Sequence, residues 1–152
     1  MRLAATLSLV LTCSPVFADE YHRQFITDQL TKDECGACHF AYPASMLPEA
    51  SWRKIMLSLE NHFGEDASLE PEAIQDITRY LAAHAADTKP QFSEHLRGID
   101  AQNPPVRITE TEYWIGKHFA ISKEYLRSGL AGLKAVCTVC HLRAEEGYYE
   151  KR

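Results

Sequence analysis

Apolar positions along the middle of the chain recur at helical spacing. Pro48 fits a first helical turn. After it Trp52, Ile55, Met56, Leu59, His62 and Phe63 fall on one face, until Gly64 stops the run. A second amphipathic helix is predicted within residues 69–88, where Ile74, Ile77, Tyr80, Leu81 and His84 share a face. A third is predicted within 108–130, capped by Thr109 or Thr111 and carrying Tyr113, Trp114, His118, Ile121 and Tyr125. Between the second and third, residues 87–107 contain Pro90, Gly98, Pro104 and Pro105 and little periodicity. This break is read as the boundary between two halves, with a smaller wrapping loop as the alternative. His95 falls in it and is expected to be exposed.

The first twenty residues follow a different rule. Arg2 precedes an apolar run from Leu3 to Thr12, and Val16-Phe17-Ala18 gives a small-residue exit. Such a pattern is a secretory signal, too short for a membrane span. The expected organisation is therefore a signal over 1–18, an N-terminal unit over 19–90, a linker over 91–107 and a C-terminal unit over 108–152. The run Val10-Leu11-Thr12-Cys13 also admits a lipidated Cys13, although Thr12 is a poor match for that processing. With ordinary cleavage Cys13 leaves with the signal. No further apolar stretch is long enough to span a bilayer, so no direct membrane insertion is expected.

Removing the signal leaves four of the five cysteines, Cys35, Cys38, Cys137 and Cys140, all inside the pentapeptides CGACH (35–39) and CTVCH (137–141). C-x-x-C-H is the attachment signature of c-type haem. Two thiols three positions apart reach the two vinyl groups of a porphyrin as thioethers, and the following histidine turns onto the iron. Cys35 and Cys38 with His39, and Cys137 and Cys140 with His141, are thus the expected attachment and proximal-ligand residues of two covalent haem c groups. A thioredoxin-like pair would sit in a βαβ setting, which is missing here. One zinc on four cysteines would not need a histidine after each pair.

Charge narrows the partners. The chain carries 21 acidic against 16 basic residues, a formal net charge of -5. Loss of Arg2 with the signal makes it one unit more negative. Nucleic acid and anionic membranes call for a basic patch, so neither is an expected partner.

The sixth ligand of each iron separates a carrier from a catalyst, because only an open position binds a substrate. His22, His62, His84, His95 and His118 are the histidines outside the motifs. For the first haem His62 is the leading candidate, with Met56 and His84 as rivals and Met46 in a Pro-rich turn close to His39. For the second haem no methionine follows His118, and Trp114 one turn earlier is placed to cover the haem beside it. His62 lies 23 residues after His39, and His118 lies 23 residues before His141. Either spacing leaves room for a helix and a turn. Glu65 and Asp66 beside His62 are the ingredients of an alternative, a peroxide- or gas-binding haem enzyme.

These features together resemble the small exported dihaem cytochromes c of bacteria, the DHC family. The most specific stretch is CGACHFAYPASMLPEASW continuing through ENHFGEDASL; Trp114, Lys117-His118 and CTVCHLRAEEGYY add to it. The resemblance implies an all-α fold with short helices packed around two haems, ligated by His39 with His62 and by His141 with His118. It also implies periplasmic electron transfer rather than catalysis. The implied partners are a small high-spin monohaem cytochrome c that binds oxygen and a membrane cytochrome b as upstream donor. Neither half is large enough to bury a haem alone, so the haems are expected to lie near each other and to supply much of the core. The acidic segment after His141 is read as a docking surface or a frayed end.

Overall fold

The computed structural model describes residues 23–120 and 136–149. Among them the elements are helical: α1 (Gln29–Gly36), α2 (Glu49–Met56), α3 (Pro71–Ala83), α4 (Glu112–His118) and α5 (Cys137–Cys140), joined by short 3₁₀ turns. The expected all-α architecture of short helices is what forms.

The core is built where α2 crosses α3. Leu47, Trp52, Ile55, Met56 and Leu59 meet Ile77, Leu81 and Ala85, with Ile26 and Ala44 closing the edge. Burying this face against α3 is what makes so short a helix as α2 stable, since one of its length is marginal alone. Trp52 donates its indole N–H to the Ala44 carbonyl at 2.7 Å, which satisfies the one polar atom of a buried ring. Pro48 offers no capping side chain to α2. The Asp87 carboxylate, 38 positions later, accepts from the Glu49 N–H at 2.9 Å and places negative charge at the helix N-terminus.

Two helices have local caps. Asp28 accepts from the Thr31 N–H at 2.8 Å and starts α1, whose last turn carries Cys35. Thr111, of the two threonines considered, caps α4 by accepting from the Trp114 N–H at 3.2 Å. Ile121 and Tyr125 lie outside the described residues.

α2 is shorter than its apolar spacing predicts. It ends at Met56, where the Ser58 hydroxyl turns back to the carbonyls of Lys54 and Ile55 at 3.3 and 3.4 Å and competes with the helical ladder. His62 consequently sits on no helix. It lies in a tight turn, its N–H bonded to the Glu65 carbonyl at 2.7 Å and its carbonyl to the Glu65 N–H at 3.3 Å. Phe63 and Gly64 make that turn with φ of 58° and 105°. For phenylalanine this is a strained backbone region, occupied here next to a candidate ligand.

The Pro-rich break is not featureless. Residues Pro90–Leu96 form a 3₁₀ helix with Phe92 and His95 buried. His95 is 2% exposed, against the expectation of an exposed side chain. Its ring Nδ1 bonds the Ser45 carbonyl, and its ring lies 4.0 Å from that of Tyr113 on α4. The acceptor is real because Pro48, three positions after Ser45, has no N–H to offer. One imidazole therefore links the N-terminal core to the helix that ends in His118.

The segment after His141 also packs, up to Tyr149. Arg23 donates to the Glu146 carbonyl through Nε and Nη2 at 3.1 and 2.9 Å, and the Gln24 N–H meets the Gly147 carbonyl at 3.2 Å. Gly147 has φ +87°, and a Cβ on it would fall 2.8 Å from the Gln24 nitrogen, so only glycine fits this approach.

Candidate haem sites

The first C-x-x-C-H straddles the end of α1. Cys35 is in its last turn, half-buried, while Cys38 and His39 are exposed beyond it. His39 is fixed by a 2.8 Å bond from its Nδ1–H to the Phe40 carbonyl and by Tyr42, stacked at 5.0 Å. With Nδ1 engaged, Nε2 is left for a metal. Across from it stands His62, its ring centroid 6.1 Å away and its plane within 19°. Burial, with His39 and Arg107 adding to it, pushes His62 below the usual histidine range and favours the neutral form that can ligate. Phe63 packs its edge on His62, and the Arg107 guanidinium covers Phe63 at 4.1 Å.

The second motif occupies α5, a single helical turn. Cys137 and Cys140 are three positions apart on it and therefore on one side. His141 follows as the turn ends, its N–H on the Cys137 carbonyl at 2.8 Å. His118, the last residue of α4, faces His141 with centroids 6.0 Å apart and planes at 89°. Its Nδ1–H is held by the Trp114 carbonyl at 2.8 Å, and the Trp114 indole stacks on it at 4.2 Å and 13°. The expected pairing of Trp114 with His118 is therefore present, although the indole lies on the imidazole itself. Tyr149 touches the far partner, 5.6 Å from His141.

Both pairs fit a haem. An imidazole nitrogen lies about 1.1 Å from its ring centroid and bonds a metal at about 2.0 Å, so two imidazoles on opposite faces of one iron stand about 6 Å apart. The two observed separations, 6.1 and 6.0 Å, match that requirement. Apolar surface is left bare beside the same residues: Phe63 follows His62, Phe119 follows His118, Leu142 follows His141, and Ile115 and Val139 lie close in sequence; all five are exposed. Such a rim of uncovered apolar side chains is what a porphyrin face would cover. None of the four cysteines forms a disulfide. Burial pushes the thiols of Cys35 and Cys137 up to about 11, which keeps them as neutral S–H groups near neutral pH. Among the described residues no three of His, Cys, Asp or Glu converge to hold a metal ion, so the four cysteines do not form one zinc site.

The rivals for the sixth position are engaged elsewhere. Met56 is buried in the α2–α3 core. His84 caps the end of α3, with Nδ1 on the Tyr80 carbonyl at 2.8 Å and its ring stacked on Tyr80 at 4.4 Å. The Asp66 carboxylate is solvent-exposed and accepts from the Ser68 N–H at 2.9 Å, and Glu65 is exposed, which leaves no acid held over the His39–His62 gap. Tyr42 and Tyr149, which pack on His39 and His141, were not singled out from sequence. Each is an aromatic residue within eight positions of a motif histidine, and that proximity was the available signal.

Residues 31–149 match the family described as dihaem cytochrome c. Among solved structures, a dihaem cytochrome c from Rhodobacter sphaeroides superposes with a TM-score of 0.75 at 42% identity, covering 82% of this chain and 98% of the other. A dihaem cytochrome of type c from Shewanella baltica OS155 gives a TM-score of 0.64 at 36% identity, covering 80% and 86%. A comparison with curated protein sequences gives no match.

Proposed function

Because this chain belongs to the dihaem cytochrome c family and carries two covalently bound haem c groups, we propose that it is a one-electron carrier with both irons closed by histidine pairs. Bound haem supplies a reversible one-electron couple. The residues of the chain decide what that couple can do. Cys35, Cys38, Cys137 and Cys140 would anchor the two groups as thioethers; His39 with His62 would hold one iron and His118 with His141 the other. A pair of strong ligands excludes substrate, holds the iron low-spin in both oxidation states and keeps structural change on electron arrival small. Histidine on both sides also favours the ferric state more than methionine does, giving lower potentials than His/Met carriers.

The observation that carries this reading is the pair of facing imidazoles at 6.1 and 6.0 Å. The catalytic alternative needs an open or labile position beside a distal acid, and the exposed, turn-forming Glu65 and Asp66 do not supply one. The carrier works in the periplasm after loss of residues 1–18, taking electrons from a membrane b-type cytochrome and passing them to a small high-spin monohaem cytochrome c. No helix among the described residues is long and apolar enough to cross a membrane.

The test is ligand access in the holoprotein matured with both haems. Its ferric optical spectrum should lack both high-spin bands and a methionine–iron charge-transfer band, and the dithionite-reduced form should not bind carbon monoxide on mixing. A high-spin ferric component, or prompt carbon monoxide binding by either iron, would overturn the closed-site carrier.

A further inference from the structure

The two histidine pairs agree in separation and differ in orientation. His39 and His62 lie within 19° of parallel, whereas His118 and His141 are at 89°. Each orientation is held by named contacts. Phe40 and Tyr42 lock His39, and the His62–Glu65 turn with Phe63 locks His62. The Trp114 carbonyl and indole lock His118, and Tyr149 abuts His141.

Ligand-plane orientation has an electronic consequence. An imidazole donates π density to the iron d orbital perpendicular to its own plane. Parallel planes direct both ligands at one orbital and raise it above its partner. Perpendicular planes divide the donation between two orbitals and leave them nearly equal in energy. In the ferric state the electron hole sits in the upper orbital, so parallel planes stabilise ferric iron more than perpendicular ones do. In the ferrous state both orbitals are full and the arrangement matters little.

We infer that the ring planes make the two sites inequivalent: the His118–His141 site has the higher reduction potential, and the His39–His62 site the lower. This rests on the bis-histidine reading above. Ligand type and attachment are the same at both sites, and ring orientation is the difference on which the order rests; the Arg107 cation over Phe63, beside His62, acts the other way. Solvent acts in the same direction at one ligand only: His39 is exposed, whereas His62, His118 and His141 are all half-buried, and water favours the more highly charged ferric iron. Within the protein, an electron therefore moves downhill from the N-terminal to the C-terminal site. The first iron passes from ferrous to ferric and the second from ferric to ferrous, with no bond made and no proton moved.

Low-temperature electron paramagnetic resonance of the ferric holoprotein tests this directly. Parallel planes yield a rhombic trio of resolved g values; perpendicular planes yield a single, highly anisotropic low-spin signal at larger g. One signal of each kind is expected, and in a redox titration the anisotropic one should disappear first as the potential is lowered. Trp114→Leu, which removes the stacked indole but keeps the carbonyl bond to His118, should move the anisotropic signal toward smaller g and leave the rhombic trio unchanged. His118→Met should remove the anisotropic signal outright. Two rhombic low-spin signals, earlier loss of the rhombic one, or a response of the rhombic trio to Trp114→Leu would overturn the inference while leaving two closed sites intact. A high-spin signal in the unsubstituted protein would instead overturn the bis-histidine reading beneath it.

Discussion

Replacing His95 by phenylalanine removes one hydrogen-bond donor and little else. The six-membered ring fills the space of the imidazole between Phe92 and Tyr113, 5.4 and 4.0 Å away. The Ser45 carbonyl loses its partner in a place where water does not reach, since Ser45 is 6% and His95 2% exposed. An acceptor left unsatisfied by burial costs about 1–3 kcal/mol, so the expected loss is about 2 kcal/mol, or roughly 30-fold in the unfolding equilibrium. For a chain of this size that corresponds to a Tm lower by about 6 °C. The loss should also depend on pH. Burial pushes His95 below the usual histidine range, against the opposing influence of the Ser45 hydrogen bond and of Glu94 and alongside that of Lys117. The folded state therefore holds the ring neutral, while the unfolded ring takes up a proton from about pH 6.5 downward. Native stability due to His95 is complete above that pH and is lost as pH falls toward the depressed folded value. Phenylalanine has no such loss. Thermal unfolding of both holoproteins, followed by circular dichroism from pH 8 to pH 5, should show the largest gap at pH 8 and a smaller one at pH 5. A gap below about 0.5 kcal/mol at pH 8, or one that does not change with pH, would show that the His95–Ser45 bond does not join the two halves as described.

Thr111→Ala removes the cap of α4 and should cost about 1 kcal/mol, read as a lower midpoint in urea; an unchanged midpoint would place the start of α4 elsewhere. Gly147→Ala forces a Cβ into a left-handed residue against the Gln24 backbone. Its expected cost is about 1–2 kcal/mol from conformation alone, before the contact is counted, and a neutral effect would refute the clasp between residues 23–24 and 146–147. His62→Ala opens one axial position, so reduced protein should bind carbon monoxide at one iron of the two, measured as a half-amplitude Soret shift. Failure to bind would remove His62 from the ligand set.

Much of the candidate site was legible because it is chemistry of short range. C-x-x-C-H carries its own attachment geometry, and a threonine cap at 109 or 111 and the proximity of Trp114 to His118 are one-turn relationships. The N-terminal half shows where the pattern misleads. Trp52 through Phe63 keeps helical spacing beyond the point where Ser58 ends the helix, so His62 was expected on a helix and lies in a turn. Leu59 still faces inward, because a 3₁₀ turn continues nearly the same periodicity, whereas Phe63 beyond it is exposed. His95 was illegible for another reason. Its neighbours are mostly polar, and beside Phe92 what buries it comes from Ser45 and Tyr113, far away in sequence. The orientation of the ring planes is also a product of tertiary packing, and neither spacing nor composition encodes it.

The clasp of Arg23 and Gln24 on Glu146 and Gly147 bears on the order of assembly. It joins positions 123 residues apart, among the longest loops the described chain closes, and contacts of such separation form late. Synthesis delivers Arg23 long before Gly147. The second C-x-x-C-H, only a few residues before Glu146, has thus been made before this seam can shut. Maturation can act on both pentapeptides of an open chain, and closing the seam then brings residues 23–24 and 146–147 together.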